Sequence, residues 1–282
     1  MTARRSWRER LEFIDRRWLF LILAFAIVLP LVVDLPLPLY VSPMVQDLYD
    51  AIEDLPDGST VLISADYDPS GKPELEPFHL ALIHQLAEKK IKMVMYSLWP
   101  AATPITEAVL AEAGLTTDYG YRKDVDYVLL GYKEGQQIAM RSIQKSLKGT
   151  FPVNRDGTPS NEIPLLQHYD TYTDFAMLIN VSAGSPGVKE YVQNVQSITG
   201  VPMVAACTAV SGPDYVPYYK AGQLLGLAAG MKGAAEYEKL VGRPGLAMAG
   251  MSAQSASHML LIAFIVFGNV MYFLARRSGG AR

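Results

Sequence analysis

The sequence predicts an α/β fold: a Rossmann-like, mostly parallel sheet of about five strands, with one transmembrane helix before it and another after it. Three observations predict it. Short apolar runs alternate with amphipathic helical stretches through the middle of the chain. An uncharged apolar run follows an arginine-rich beginning, and a second precedes an arginine-rich end. Half of the 282 residues are hydrophobic and only 19% are charged, below the roughly 25% of an ordinary soluble domain, and mean hydropathy is positive at +0.14. The same figures exclude other classes. Disorder does not fit so much apolar surface with a net charge of −3. A disulfide scaffold is excluded because Cys207 is the only cysteine. A sequence pI near 5.8 argues against a nucleic-acid partner.

The first apolar run extends from Trp18 to Val33, and Leu35–Val41 lengthens it, so the predicted span is 18–38. Pro30 is tolerable near the end of a membrane helix. Arg4, Arg5, Arg8, Arg10, Arg16 and Arg17 precede it, which places the 1–17 tail in the cytoplasm. A cleavable signal peptide is the competing reading. The charged region is long, contains Glu9, Glu12 and Asp15, and no small-residue cleavage site follows, so a retained anchor is expected. The second span, 255–275, is followed by Arg276, Arg277 and Arg282, so the 276–282 tail is also cytoplasmic. Trp18, Tyr40 and Tyr272 fall where interfacial aromatics belong. Both ends inside puts an acidic domain, 42–250, outside. The expected location is a bacterial or archaeal plasma membrane.

Within that domain Val41–Leu55 reads as an amphipathic helix ended by a Pro-Asp-Gly turn. Strands follow at Thr60–Ala65, Lys92–Ser97, Asp126–Leu130, Ala176–Val181 and Pro202–Ala206. Helices are expected at Pro77–Lys90, Pro104–Ala113, Gly135–Leu147, Val188–Ile198 and Tyr218–Leu240. Near-continuous apolar strands suit a sheet buried on both faces. Residues 148–173, rich in Pro, Asn, Asp and Gly, read as a long irregular loop: either a lid or a surface insertion.

In an open parallel sheet, ligands bind beyond the carboxyl ends of the strands. Asp66 and Asp68 follow the first strand. Two apart on an extended strand end, they would point the same way and share a divalent metal; alternatively one caps the next turn. Asp-x-Asp after a first strand resembles haloacid-dehalogenase-type phosphatases, but no matching Lys and acidic pair follows. The Ser182–Gly187 loop, with Gly184 and Ser185, leads into a helix, so its amides either hold an anion or simply turn the chain. Cys207 and Thr208 follow the fifth strand. A catalytic cysteine needs a base, and His79, His84 and His168 are the candidates; a small buried residue is the commoner role. No catalytic residue is assigned, no cofactor is identified, and G-x-S-x-G, H-E-x-x-H and paired C-x-x-C motifs are absent from the sequence.

Gly222, Gly226, Gly230 and Ala234 recur every four residues. On a helix over 218–240 they would form one small-residue face for close helix–helix contact, between protomers or against the domain's own sheet. The segments DYDPS, LWP, GQLLGLAAGMKGAAEYE and AQSASH together resemble a family of two-span membrane proteins with no assigned activity. That resemblance implies the architecture and carries no catalytic residue. The expected function is a non-enzymatic subunit or scaffold of a membrane assembly. Its partners would be the lipid bilayer and either further copies of itself or other membrane proteins. The alternatives are an extracytoplasmic module binding a small anion or metal, and a membrane-anchored metal-dependent hydrolase.

Overall fold

The computed structural model describes residues 15–32 and 39–279. The chain divides into a compact unit, Leu39–Met248, and a second unit made of the terminal segments, Met1–Pro38 with Ala249–Arg282. The elements in chain order are α1 (Arg16–Val32), α2 (Pro43–Glu53), β1 (Thr60–Asp66), α3 (Lys72–Glu88), β2 (Lys92–Ser97), α4 (Ala102–Ala113), β3 (Tyr127–Tyr132) and α5 (Gln137–Lys145). After an irregular segment come β4 (Met177–Ser182) and α6, which runs from Val188–Tyr191 through a π-turn, Val192–Gln196, to Ser197–Thr199. Then follow β5 (Met203–Cys207), α7 (Gly212–Lys220), β6 (Gly226–Ala229), α8 (Gly230–Val241) and α9 (Leu246–Gly279).

All six strands are parallel, in the order β3-β2-β1-β4-β5-β6. The order reverses between β1 and β4, so their carboxyl ends mark the switch point at which doubly wound sheets form a crevice. The strands are apolar on both faces because helices cover both. On one face Leu62, Val94, Val128, Leu178 and Met203 pack with Met140 and Ile143 of α5 and Val192 and Val195 of α6. On the other, α3 packs against α4 and α8, and the rings of Phe78 and Tyr237 lie 4.6 Å apart.

Residues 148–173 are irregular, as expected, but they are a wall of the core. Three short 3₁₀ turns, at Ser160–Glu162, Pro164–His168 and Tyr172–Asp174, carry the chain, and Phe151, Ile163, Leu166 and Tyr172 are buried beneath it. Asn154 organises one bend: its side chain accepts from the amides of Asp156 (3.0 Å) and Thr158 (2.9 Å) and donates to Asp124 (3.0 Å).

The expected helix over 218–240 does not exist. It is replaced by the end of α7, a turn, a sixth strand and α8. Gly222, Gly226, Gly230 and Ala234 therefore share no helix face, and the protomer contact built on them loses its basis. Gly222 turns the chain at φ +74° and Gly230 breaks strand from helix at φ +65°, conformations that glycine adopts without strain. Gly226 lies in β6 under α2, where a Cβ would overlap the backbone N and Cα of Leu48. Ala234 is buried inside the domain on α8.

Helix α8 also holds both ends of the domain. Glu236 accepts from the amide (3.0 Å) and hydroxyl (2.6 Å) of Ser42, and Lys239 donates to the carbonyl of Leu39 (2.7 Å). Glu238 accepts from the amides of Gly245 (3.1 Å), Ala247 (3.1 Å) and Met248 (2.8 Å), capping the start of α9 with a carboxylate. The chain thus enters and leaves the domain within four residues of one helix.

Of the two expected spans, one has a candidate among the described residues: Leu246–Leu274 is the one helix there long and apolar enough to cross a membrane by length and composition. Helix α1 has 17 residues, about 25 Å at ~1.5 Å per residue. The remainder of the predicted 18–38 span, residues 33–38, lies outside the described residues, as do 1–14 and 280–282 of the two basic tails.

The packing at β6 predicts an unequal cost for two glycine substitutions. Gly226→Ala forces α2 off the sheet and should cost about 3 kcal/mol of domain stability. Gly222→Ala, with open space around it, should cost only about 1 kcal/mol, from its positive φ. Chemical denaturation of the two variants measures the difference, and equal costs would contradict this packing.

Candidate functional site at the carboxyl edge

Asp66 ends β1 and is fully buried. It is level with Ser182 on β4, and Ser64 is level with both Tyr96 and Asn180, so the side chains of three strands meet there. The amide of Leu98 donates to Asp66 Oδ1 (2.6 Å), the Ser64 hydroxyl to Oδ2 (2.5 Å), and Asn180 Nδ2 to Oδ2 (3.3 Å). Ser64 also bonds the hydroxyl of Tyr191 on α6, and Tyr96 bonds Tyr172 (3.2 Å). No salt bridge among the described residues reaches Asp66. Burial raises its pKa to about 6, while Ser64, Leu98 and the other donors restrain the rise.

Asp68 does not join it. β1 stops at Asp66, so the alternation that would align the two carboxylates ends two residues short of Asp68. Asp68 instead closes the next turn, accepting from the amide (3.0 Å) and hydroxyl (2.6 Å) of Ser70 and the amide of Gly71 (3.3 Å). Those bonds lower its pKa, the Ser70 hydroxyl most. The shared metal site expected of Asp66 and Asp68 is thus not formed, and no cluster of three or more His, Cys, Asp or Glu able to hold a metal occurs among the described residues.

The Ser182–Gly187 loop carries its own anion. The amide of Gly187 (2.9 Å) and hydroxyl of Ser185 (3.0 Å) both donate to the Glu190 carboxylate. Ser182 is buried, donating to Asn180 (2.8 Å) and accepting from the amide of Val188 (3.2 Å). The expected external anion would have to displace Glu190. Gly184 lies beside the Trp99 ring, where a Cβ would make ordinary contact at 3.5 Å.

At the end of β5 the edge is closed. Cys207 is buried, and burial, then Glu74, pushes its thiol up to about 12. The three histidines stand apart from it: His79 bonds Tyr67 (3.0 Å), His84 bonds Tyr119 (2.8 Å), and His168 is exposed on a 3₁₀ turn. An inert buried thiol is the reading that fits. Thr208 donates to Ser211 (3.2 Å), and Glu74 accepts from the amide of Ala209 (2.7 Å). Gly212 and Gly230 lie so close to Ala229 and Ala209 that a Cβ on either would come within 2.7 and 2.6 Å.

The edge is open on the other side, beyond β2, β3 and β4. A cleft of about 540 Å³ lies between Trp99, Pro100, Tyr132, Gln136, Ser185 and Pro186. Trp99 is fixed there. Its indole N–H donates to the carbonyl of Pro186 (3.0 Å), and the Ser97 hydroxyl bonds its amide (2.9 Å) and its carbonyl (2.8 Å). Tyr132 is 42% exposed. Gln136 adopts φ +46°, unusual for a side-chain-bearing residue, at the start of α5. The cleft offers two aromatic faces and the polar groups of Gln136 and Ser185. Asn180 and Ser64 had one sequence signal: each is a polar residue inside an apolar strand. Gln136 and Glu190 had none.

The pKa of Asp66 has a direct consequence. Its folded value lies above its ordinary carboxylate value, so its contribution to stability is complete below about pH 4. That contribution is lost as pH rises through about 6, a loss of about 3 kcal/mol by pH 8. Asp66→Asn keeps an acceptor for the Leu98 amide and removes the charge. Urea denaturation of this variant from pH 4 to 8 should show that much less decline than the unaltered chain; identical slopes would place the titration elsewhere.

No protein-family model matches the chain, and searches of curated proteins and solved structures return no significant match.

Proposed function

We propose that the chain is a membrane-anchored binding module that takes a small ligand in the cleft between Trp99, Tyr132 and Pro186. The cleft carries the reading. It lies at the carboxyl edge of a doubly wound sheet, the position at which such folds bind ligands, and its aromatic wall is pinned by hydrogen bonds. The anchoring reading draws on the apolar helix Leu246–Leu274 and on the attachment of both domain ends to α8, which suits a domain tethered at one point by two neighbouring spans. The arginines before residue 18 and after residue 275 favour cytoplasmic termini and an extracytoplasmic domain. The second reading, a subunit of a membrane assembly, is favoured by an exposed polar residue within α9.

Two measurements test this. Reporters fused to each terminus should both report the cytoplasm, and the chain should resist alkaline extraction from membranes; a soluble chain or split termini would refute the anchoring. In a thermal-shift screen of the full chain in mild detergent, a ligand that raises Tm should lose its effect in Trp99→Ala and keep it in Asp68→Asn. A shift that survives Trp99→Ala would move the site away from this cleft.

A further inference from the structure

Helix α9 presents an open stripe. His258, Ile262, Ile265, Asn269 and Tyr272 follow one another at spacings of four, three, four and three residues, the seam of a left-handed helix pair. All five are exposed, as is most of the helix, Phe267 and Leu274 on the far side included, so it is the amide of Asn269 that marks this stripe out. On the opposite face Leu260, Phe264 and Met271 are half-buried. The side chain of Asn269 makes no hydrogen bond among the described residues.

On the reading of α9 as a membrane span, Asn269 lies seven residues before Arg276, about 10 Å inside that end of the helix at ~1.5 Å per residue. Water does not satisfy an amide at that depth, and lipid tails have no polar groups to offer. A carboxamide has a donor and an acceptor, so it is complementary to a second copy of itself across a two-fold axis. Copies of one chain insert in the same orientation, which brings the two stripes into parallel register with Asn269 opposite Asn269. A single asparagine at such a seam position selects a two-stranded, in-register pair.

We infer that α9 is a dimerisation surface whose partner is α9 of a second copy, held in register by paired Asn269 side chains and packed by Ile262, Ile265 and Tyr272. This inference rests on the membrane reading and is independent of the cleft.

The test uses the full chain with a fluorescent protein fused behind Arg282, donor- and acceptor-labelled copies being mixed in phosphatidylcholine vesicles and diluted with lipid. Energy transfer should fall on dilution along a dimer isotherm. Asn269→Leu, which keeps the helix apolar, should weaken association about tenfold, and Asn269→Gln, which retains a self-complementary amide, should keep most of it. A chain that co-floats with the vesicles but shows no transfer at any dilution overturns the inference and leaves the membrane reading standing. Transfer undiminished in Asn269→Leu overturns the asparagine pairing. A chain that does not co-float overturns the membrane reading itself, and the dimer with it.

Discussion

A buried carboxylate with no cation partner among the described residues organises the carboxyl edge of this domain. Asp66 draws the Leu98 amide from the end of β2, Asn180 from β4 and Ser64 from its own strand onto two oxygens. Leu98 is followed by Trp99, whose indole reaches across to Pro186 in the loop after β4. The position of the Trp99 wall therefore traces back through one short segment to a charge held in the core. Such a charge is costly unless every lone pair is served. Here the service comes from neutral donors alone, which only partly offset burial, so the pKa of Asp66 rises to about 6.

The same edge shows why parts of the site were legible in the sequence and others were not. Five strands could be read because each is a short run of apolar residues bounded by polar turns. The sixth, Gly-Leu-Ala-Ala, has no β-branched or aromatic residue and sits inside a stretch of small residues. Its glycines recur every four residues, which a helix reading explains equally well. What decides the matter is tertiary: α2 crosses β6 so closely that only glycine fits at Gly226, and nothing near residue 226 in the sequence announces Leu48. The two aspartates fail as a metal pair for a comparably local reason. Alternation places residues two apart on one face only while the strand lasts, and β1 ends at the first of them. The position of ligand-capable residues beyond the strand ends was readable from fold class. The choice of the β2–β3–β4 side over the β5–β6 side depended on strand order and on close glycine–alanine packing, neither of which a single sequence displays.

On the proposed reading of α9 as a membrane span, Asp66 and Asn269 pose one physical problem in two solvents. A polar group removed from water must find partners or impose a free-energy cost on the state that buries it. Inside the domain the chain supplies partners from its own strands, because a parallel sheet brings residues far apart in sequence to one level: Asp66 meets Asn180 across the β1–β4 pair. A lone apolar helix has no strand neighbours of this kind, and among the described residues nothing bonds the Asn269 side chain. The helix backbone is satisfied internally, but a side-chain amide on its open face is not. The domain can therefore complete its buried polar network alone, and α9 completes its own only against another helix. On the proposed readings, that difference separates two surfaces: a cleft shaped within a single chain and a helix face completed when two chains share a membrane.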